Sequence, residues 1–206
     1  MEHYCEQIKQ KIDALPNGSA FVVSDFTGFS DYQTAKRTLA RLCDRGYIRR
    51  VLRGVYDKPR YSDLLQEYTA PDPNEIAMAI ARNYNWNIVP SGNAALNMLG
   101  LSTQVPAKWE YCSSGPYREY EFGKITIEFK HRSSKEIEGL SYDTALLIQA
   151  IKALGRDSIT EDVIERLRER TAHIDADTLI REARYTTSWV FSVIKQIFGK
   201  DEIQYV

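Results

Sequence analysis

Few folds accept the order of signals between Ser30 and Asp57, where the chain reads SDYQTAKRTLARLCDRGYIRRVLRGVYD. Ser30 followed three residues later by Gln33 predicts a capping box, with Asp31 well placed at the positive end of the dipole, so a helix begins near Asp31. Along it Ala35, Leu39 and Leu42 fall at i, i+4 and i+7 as one apolar stripe, while Gln33, Lys36, Arg37 and Arg41 lie away from it. Gly46 closes the helix. The runs YIRRV and VYD, rich in β-branched and aromatic residues, flank Leu52-Arg53-Gly54 and predict a hairpin whose tip needs the positive φ that Gly54 accepts. One helix face must pack, and the other stays free.

Upstream, Tyr4, Ile8 and Ile12 recur every four residues, with Leu15 beyond them, before Pro16-Asn17-Gly18 ends the pattern. That predicts a first helix over about residues 2 to 15. SAFVV is a short strand, and Ser24-Asp25-Phe26 starts a brief second helix that Gly28 interrupts. Helix, helix, helix, hairpin is the order of a winged helix-turn-helix, expected over residues 1 to 60. A stretch with little periodicity, residues 61 to 73, reads as a linker.

From Asn74, expected to cap a helix through EIAMAIARNY, to residue 206 the patterns mix. WNIVP, WEYCSSG and KITIEFKH read as strands, SGNAALNMLG and YDTALLIQAIKALG as helices, and three more helices follow at about 161 to 171, 175 to 184 and 187 to 198. The expected class is α+β: an N-terminal winged helix-turn-helix, then a mixed α+β domain with a helical C-terminal half.

Charge is divided between these parts. The chain carries a formal net charge of -1, yet residues 1 to 60 hold net +4 and the remainder net -5. From Lys36 to Arg60 nine basic residues stand against two acids, Asp44 and Asp57. A local field of that sign steers a polyanion even when the whole molecule is near neutral. In a winged helix the third helix enters the major groove and the hairpin lies along the backbone, and the cations fall on those two elements. Arg37, with Gln33 one turn before it, is the expected base-reading pair, since Arg pairs bidentately with guanine and Gln with adenine. Lys36, Arg41, Arg49, Arg50 and Arg53 are expected to meet phosphates, which set affinity and salt dependence.

With those residues in view, RGYIRRVLRGVYDKPRYS and PDPNEIAMAIARNYNWNIVPSGNAALNMLGLSTQVPAKWEYCSSG resemble the AbiEi-type antitoxins of type IV toxin-antitoxin and abortive-infection systems. The resemblance runs from about Phe21 to Leu154, and RGVY and PSGNAALNMLGL are its most specific blocks. It implies a winged helix that represses its own operon at inverted repeats, contacting DNA through Gln33, Lys36, Arg37, Arg41, Arg49, Arg50 and Arg53. It also implies a C-terminal domain that counters a nucleotidyltransferase toxin, whether or not the two proteins touch. The alternative reading is a winged-helix regulator whose second domain binds a small ligand or mediates oligomerisation.

Nothing in the sequence demands an enzyme, a cofactor or a metal. Glu128-Phe129-Lys130, with Glu119 and Glu121 upstream, imitates the Glu-x-Lys of metal-dependent nucleases, but alternating strands produce such pairs freely. Ser91-Gly92 lacks the elbow of a serine hydrolase, and Gly115-Pro116 lacks a phosphate-loop pattern. Trp86, Trp109, Tyr111, Tyr117 and Tyr120 are expected in the core rather than around a ligand. His3, His131 and His173 are expected at the surface. Cys5, Cys43 and Cys112 match neither a disulfide framework nor zinc spacing and read as reduced thiols. With no apolar run of membrane length and no leader pattern, the expected location is the cytoplasm.

Overall fold

Residues 2–132 and 139–199 are described by the computed structural model, and the side chain of His3 lies outside that description. The chain divides into two compact units, Met1–Trp86 and Asn87–Val206.

In the first unit, Ile8 and Ile12 of α1 (Glu2–Ala14) are fully buried. Tyr4 is exposed, so the apolar stripe starts one turn later than its spacing suggests. Strand β1 (Ala20–Val22) leads into a single 3-10 turn (Val23–Phe26) where a second helix is expected. The Asp25 carboxylate accepts the Val22 N–H at 2.9 Å and caps the start of that turn. Helix α2 (Tyr32–Asp44) buries Ala35, Leu39 and Leu42 against Phe21, Phe26 and Ile48. Its cap is Asp31, not Ser30: Oδ1 of Asp31 accepts the Thr34 N–H at 2.9 Å. An ionised carboxylate is the stronger acceptor, and Ser30 is buried instead with its hydroxyl donating to the Asp31 carbonyl. Those bonds from Thr34 hold the Asp31 carboxyl below its usual range.

Gly46, at φ 70°, ends α2 with two reversed bonds, Gly46 N–H to the Cys43 carbonyl and Tyr47 N–H to the Leu42 carbonyl. The chain therefore turns straight into β2 (Arg49–Leu52) and β3 (Val55–Asp57), which form with β1 an antiparallel sheet in the order β1-β3-β2. The segment expected as a linker contains a small hairpin, β4 (Tyr61–Ser62) paired with β5 (Glu67–Tyr68).

Helix α3 (Pro73–Tyr84) belongs to this first unit. The boundary thus falls after this helix rather than before it, and its cap is Asp72, which accepts from Asn74 and Glu75, rather than Asn74. The reason lies at the open edge of β1. The Glu75 carboxylate accepts the Ala20 N–H at 3.3 Å, and the Arg82 guanidinium donates to the Ala20 carbonyl at 2.9 Å and pairs with Asp25 at 3.3 Å. Two side chains two turns apart on α3 satisfy an edge strand that would otherwise present bare backbone.

The second unit is a mixed α+β body. Its sheet runs β6-β7-β9-β8, from β6 (Ile88–Ser91), β7 (Lys108–Ser113), β8 (Arg118–Phe122) and β9 (Ile125–His131). Strands β7 and β9 are parallel and the other pairings antiparallel. Helix α4 (Gly92–Met98) follows β6, and α5 (Tyr142–Leu154) is the central element. Ala145, Leu146 and Ala150 of α5 pack with Val89 and Cys112 of the sheet. Leu147, Ile148 and Ile151 pack with α6 (Glu161–Thr171), α7 (Ala176–Ala183) and α8 (Ser188–Ile197). A helix used on both sides reads as apolar nearly all round, which is why its sequence pattern is so clear. Among the described residues no helix is long and apolar enough to cross a membrane.

Candidate nucleic-acid interface

Because Ala35, Leu39 and Leu42 point into the core, the opposite side of α2 presents Gln33, Lys36, Arg37 and Arg41, all exposed. With Asp31 as the cap, Gln33 is released from the capping box that would have held its side chain to the helix end. Two residues beyond the helix-ending turn, the buried Ile48 anchors the start of the ribbon. Arg50 and Arg53 are exposed on that ribbon, and Arg53 stands at its tip beside Gly54, which has φ 81°.

Arg49 is placed differently. Its Nε and Nη2 donate to the two oxygens of Asp57 at 3.0 and 2.5 Å, and its Nη1 donates to the Thr69 carbonyl at 3.0 Å. Asp57 is 1% exposed. All three guanidinium nitrogens serve the fold, so Arg49 is tied to the structure in a way that Arg50 and Arg53 are not. Lys58 is likewise committed, donating to the Asp13 and Leu15 carbonyls at 2.9 and 2.7 Å as a cap on α1. The signal missed is a bulge: a regular hairpin centred on Arg53-Gly54, with Leu52 opposite Val55, would set Arg50 against Asp57, and the register shift between Arg50 and Leu52 brings Arg49 there instead.

What remains between Lys36 and Arg60 is seven exposed cations, Lys36, Arg37, Arg41, Arg45, Arg50, Arg53 and Arg60, against one exposed acid, Asp44. Among the described residues none of the seven is held in an ion pair. Such a surface repels itself and gains by meeting an anion.

The Glu-x-Lys of the second unit has the opposite character. Register sets Glu110, Glu128 and Glu119 side by side on three adjacent strands, with Ser91 next in the row. Glu128 is buried between Lys108 (3.1 Å), Lys130 (3.3 Å) and the Tyr117 hydroxyl, which donates to it at 2.8 Å. Lys130 also donates to Glu110 at 2.7 Å. Burial pushes the Glu128 carboxyl up, but bonds from Tyr117, Lys108 and Lys130 outweigh it and hold it below its usual range. Glu110 keeps Lys130 charged above its usual range against the effect of burial, and the Glu128 bond with burial lifts the Tyr117 hydroxyl to about 12. A β-carbon on Gly92 would lie 2.9 Å from the Glu110 carboxylate, so the Ser91-Gly92 turn is shaped to this network. Ammonium groups sit where a divalent ion would have to lie, and among the described residues no group of three His, Cys, Asp or Glu is arranged to hold a metal.

Of the aromatics, Trp109 and Tyr111 are buried, the latter with its ring 5.7 Å from Phe129, whereas Tyr117 is exposed. Cys5, Cys43 and Cys112 are not joined in disulfides, and His131 and His173 are exposed.

Residues 7–179 match the family of unknown function DUF6088. The chain belongs to that family. No curated protein matches this DUF6088 chain. Among solved structures, the RV2827C protein from Mycobacterium tuberculosis aligns with a TM-score of 0.41 at 14% identity, covering 97% of this chain and 78% of that one.

Proposed function

We propose that the first unit is a winged helix-turn-helix that binds double-stranded DNA, with α2 as recognition helix and the β2–β3 ribbon as wing. In this reading Arg37 and Gln33 reach base edges, and Lys36, Arg41, Arg50 and Arg53 hold phosphates. The observation that carries it is the set of seven exposed cations between Lys36 and Arg60, with no ion pair among the described residues and only Asp44 as an exposed acid within that span. The wider role follows the resemblance of RGVY and PSGNAALNMLGL to AbiEi-type antitoxins. The chain is then a cytoplasmic, non-catalytic autorepressor of a toxin-antitoxin operon, and its second unit opposes a nucleotidyltransferase toxin.

The test is a titration against the duplex upstream of the coding region and against an unrelated duplex, across a range of salt. Four phosphate contacts predict that log K falls with log salt at a slope of about -3.6. The expected result is that slope with a clear preference for the upstream duplex. Weak, sequence-blind binding would sink the DNA reading and leave the antitoxin role on resemblance alone.

A further inference from the structure

Strand β2 lies at the edge of its sheet, and its ladder with β3 is broken by a register shift between Arg50 and Leu52. A bulged edge strand is weakly held, so the pose of Arg50 and Arg53 depends on what anchors its base. At that base Arg49 binds both oxygens of the buried Asp57 on the neighbouring strand. Its third nitrogen takes the Thr69 carbonyl, and the Thr69 N–H donates in turn to the Arg60 carbonyl at 2.8 Å, closing the foot of the β4–β5 hairpin. One guanidinium therefore joins three segments: β2, β3 and the chain leaving β5.

We propose that Arg49 is a positioning residue of the nucleic-acid face: with Asp57 and the Thr69 carbonyl it clamps the ribbon in the pose that presents Arg50 and Arg53 to phosphates, and itself touches no DNA. The proposal rests on the DNA reading above. It has a chemical signature, because a planar fork meets both oxygens of a carboxylate while its third nitrogen reaches a carbonyl, and lysine, with the same charge on a single nitrogen, cannot reproduce that bidentate grip.

The full chain is compared with Arg49→Lys, Arg49→Ala and Asp57→Asn by two readouts: duplex affinity across a range of salt, and amide hydrogen exchange over residues 50 to 55 without DNA. The clamp predicts that Arg49→Lys weakens duplex binding about tenfold despite keeping its charge. Exchange in the ribbon should rise, and the salt slope should become shallower as Arg50 and Arg53 lose their places. Asp57→Asn removes a negative charge, which by charge alone would tighten binding, yet the clamp predicts weaker binding. Should Asp57→Asn not fold, Arg49→Lys still decides. The proposal is overturned if Arg49→Lys matches the wild type in affinity, slope and exchange while Arg49→Ala shallows the slope by roughly one, the mark of a direct phosphate contact. If the wild-type chain binds no duplex, the DNA reading falls. Unchanged exchange in Arg49→Lys would then show separately that Arg49 does not hold the ribbon, and raised exchange that it does.

Discussion

Between Lys36 and Arg60 seven cations stand exposed with no ion pair among the described residues, whereas on the sheet of the second unit Glu110, Glu119, Glu128, Lys108, Lys130 and Tyr117 bind one another. Both regions look charged in the sequence. The first keeps its charge unopposed, and the second is nearly balanced, with three carboxylates against two ammonium groups. Unpaired charge of one sign repels itself, so the unpaired set is the one on which the proposed DNA reading rests. Arg49 and Asp57 transplant the second kind of arrangement into the first region, which is why a count of arginines overstates what the ribbon offers.

The largest test of this contrast is at Glu128. Replacing it by alanine removes the acceptor shared by Tyr117, Lys108 and Lys130, and should cost the second unit about 2–3 kcal/mol, below the range for fully buried pairs because both lysines are partly solvated. Chemical denaturation measures it, and a loss under about 0.5 kcal/mol would mean the network is ornamental. Acid should act in the same direction. The folded Glu128 carboxyl titrates below the ordinary value of 4.5, so its contribution is complete above that value and disappears as the pH falls through the depressed one. Lys130 titrates above 10.5, so its contribution is complete below that value and is lost as the pH rises through the raised one. Unfolding midpoints should therefore be flat at intermediate pH and fall on both sides, and Glu128→Gln should flatten the acid limb.

Charge removal from α2 and the ribbon should do the reverse, leaving stability within about 0.5 kcal/mol and changing binding. Arg37→Ala is expected to relax base preference at a cost of about 1–3 kcal/mol, while Arg53→Ala weakens all duplexes alike and shallows the salt slope by roughly one. Equal loss of preference in both variants would erase the division between helix and ribbon.

Much of this organisation is legible in the residues because single elements carry it. The stripe of Ala35, Leu39 and Leu42 places the free face of α2, Ser141 caps α5 through Thr144, and the alternation of Ile125, Ile127 and Phe129 marks β9. What escaped is relational. That α3 serves the first unit depends on Glu75 and Arg82 finding the backbone of Ala20, far away in sequence. Strand β8 hides because its residues, REYEF, are polar and only half covered, so the alternation has little apolar contrast. Nor does Glu-x-Lys announce in the sequence that Lys108 and Tyr117 bond to its glutamate.

The smallest effect concerns the one acid at the mouth of the basic region whose role is local. Asp31 lies at the N-terminus of α2, where Ser30 and Asp31 compete as caps and the geometry favours the carboxylate. Asp31→Ala should lower the unfolding midpoint of the first unit more than Ser30→Ala does, and Asp31→Asn, which keeps the acceptor, should leave it nearly unchanged at neutral pH. Bonds from Thr34 lower the folded carboxyl below the ordinary value of 3.8, so the cap is at full strength above that value and weakens as the pH falls through the lowered one. Asparagine has no such titration, so the wild type and Asp31→Asn should diverge only in acid, read from midpoints across pH. A larger loss from Ser30→Ala would restore the hydroxyl as the cap, return Gln33 to its box, and take from the recognition face one of the two side chains proposed to read bases.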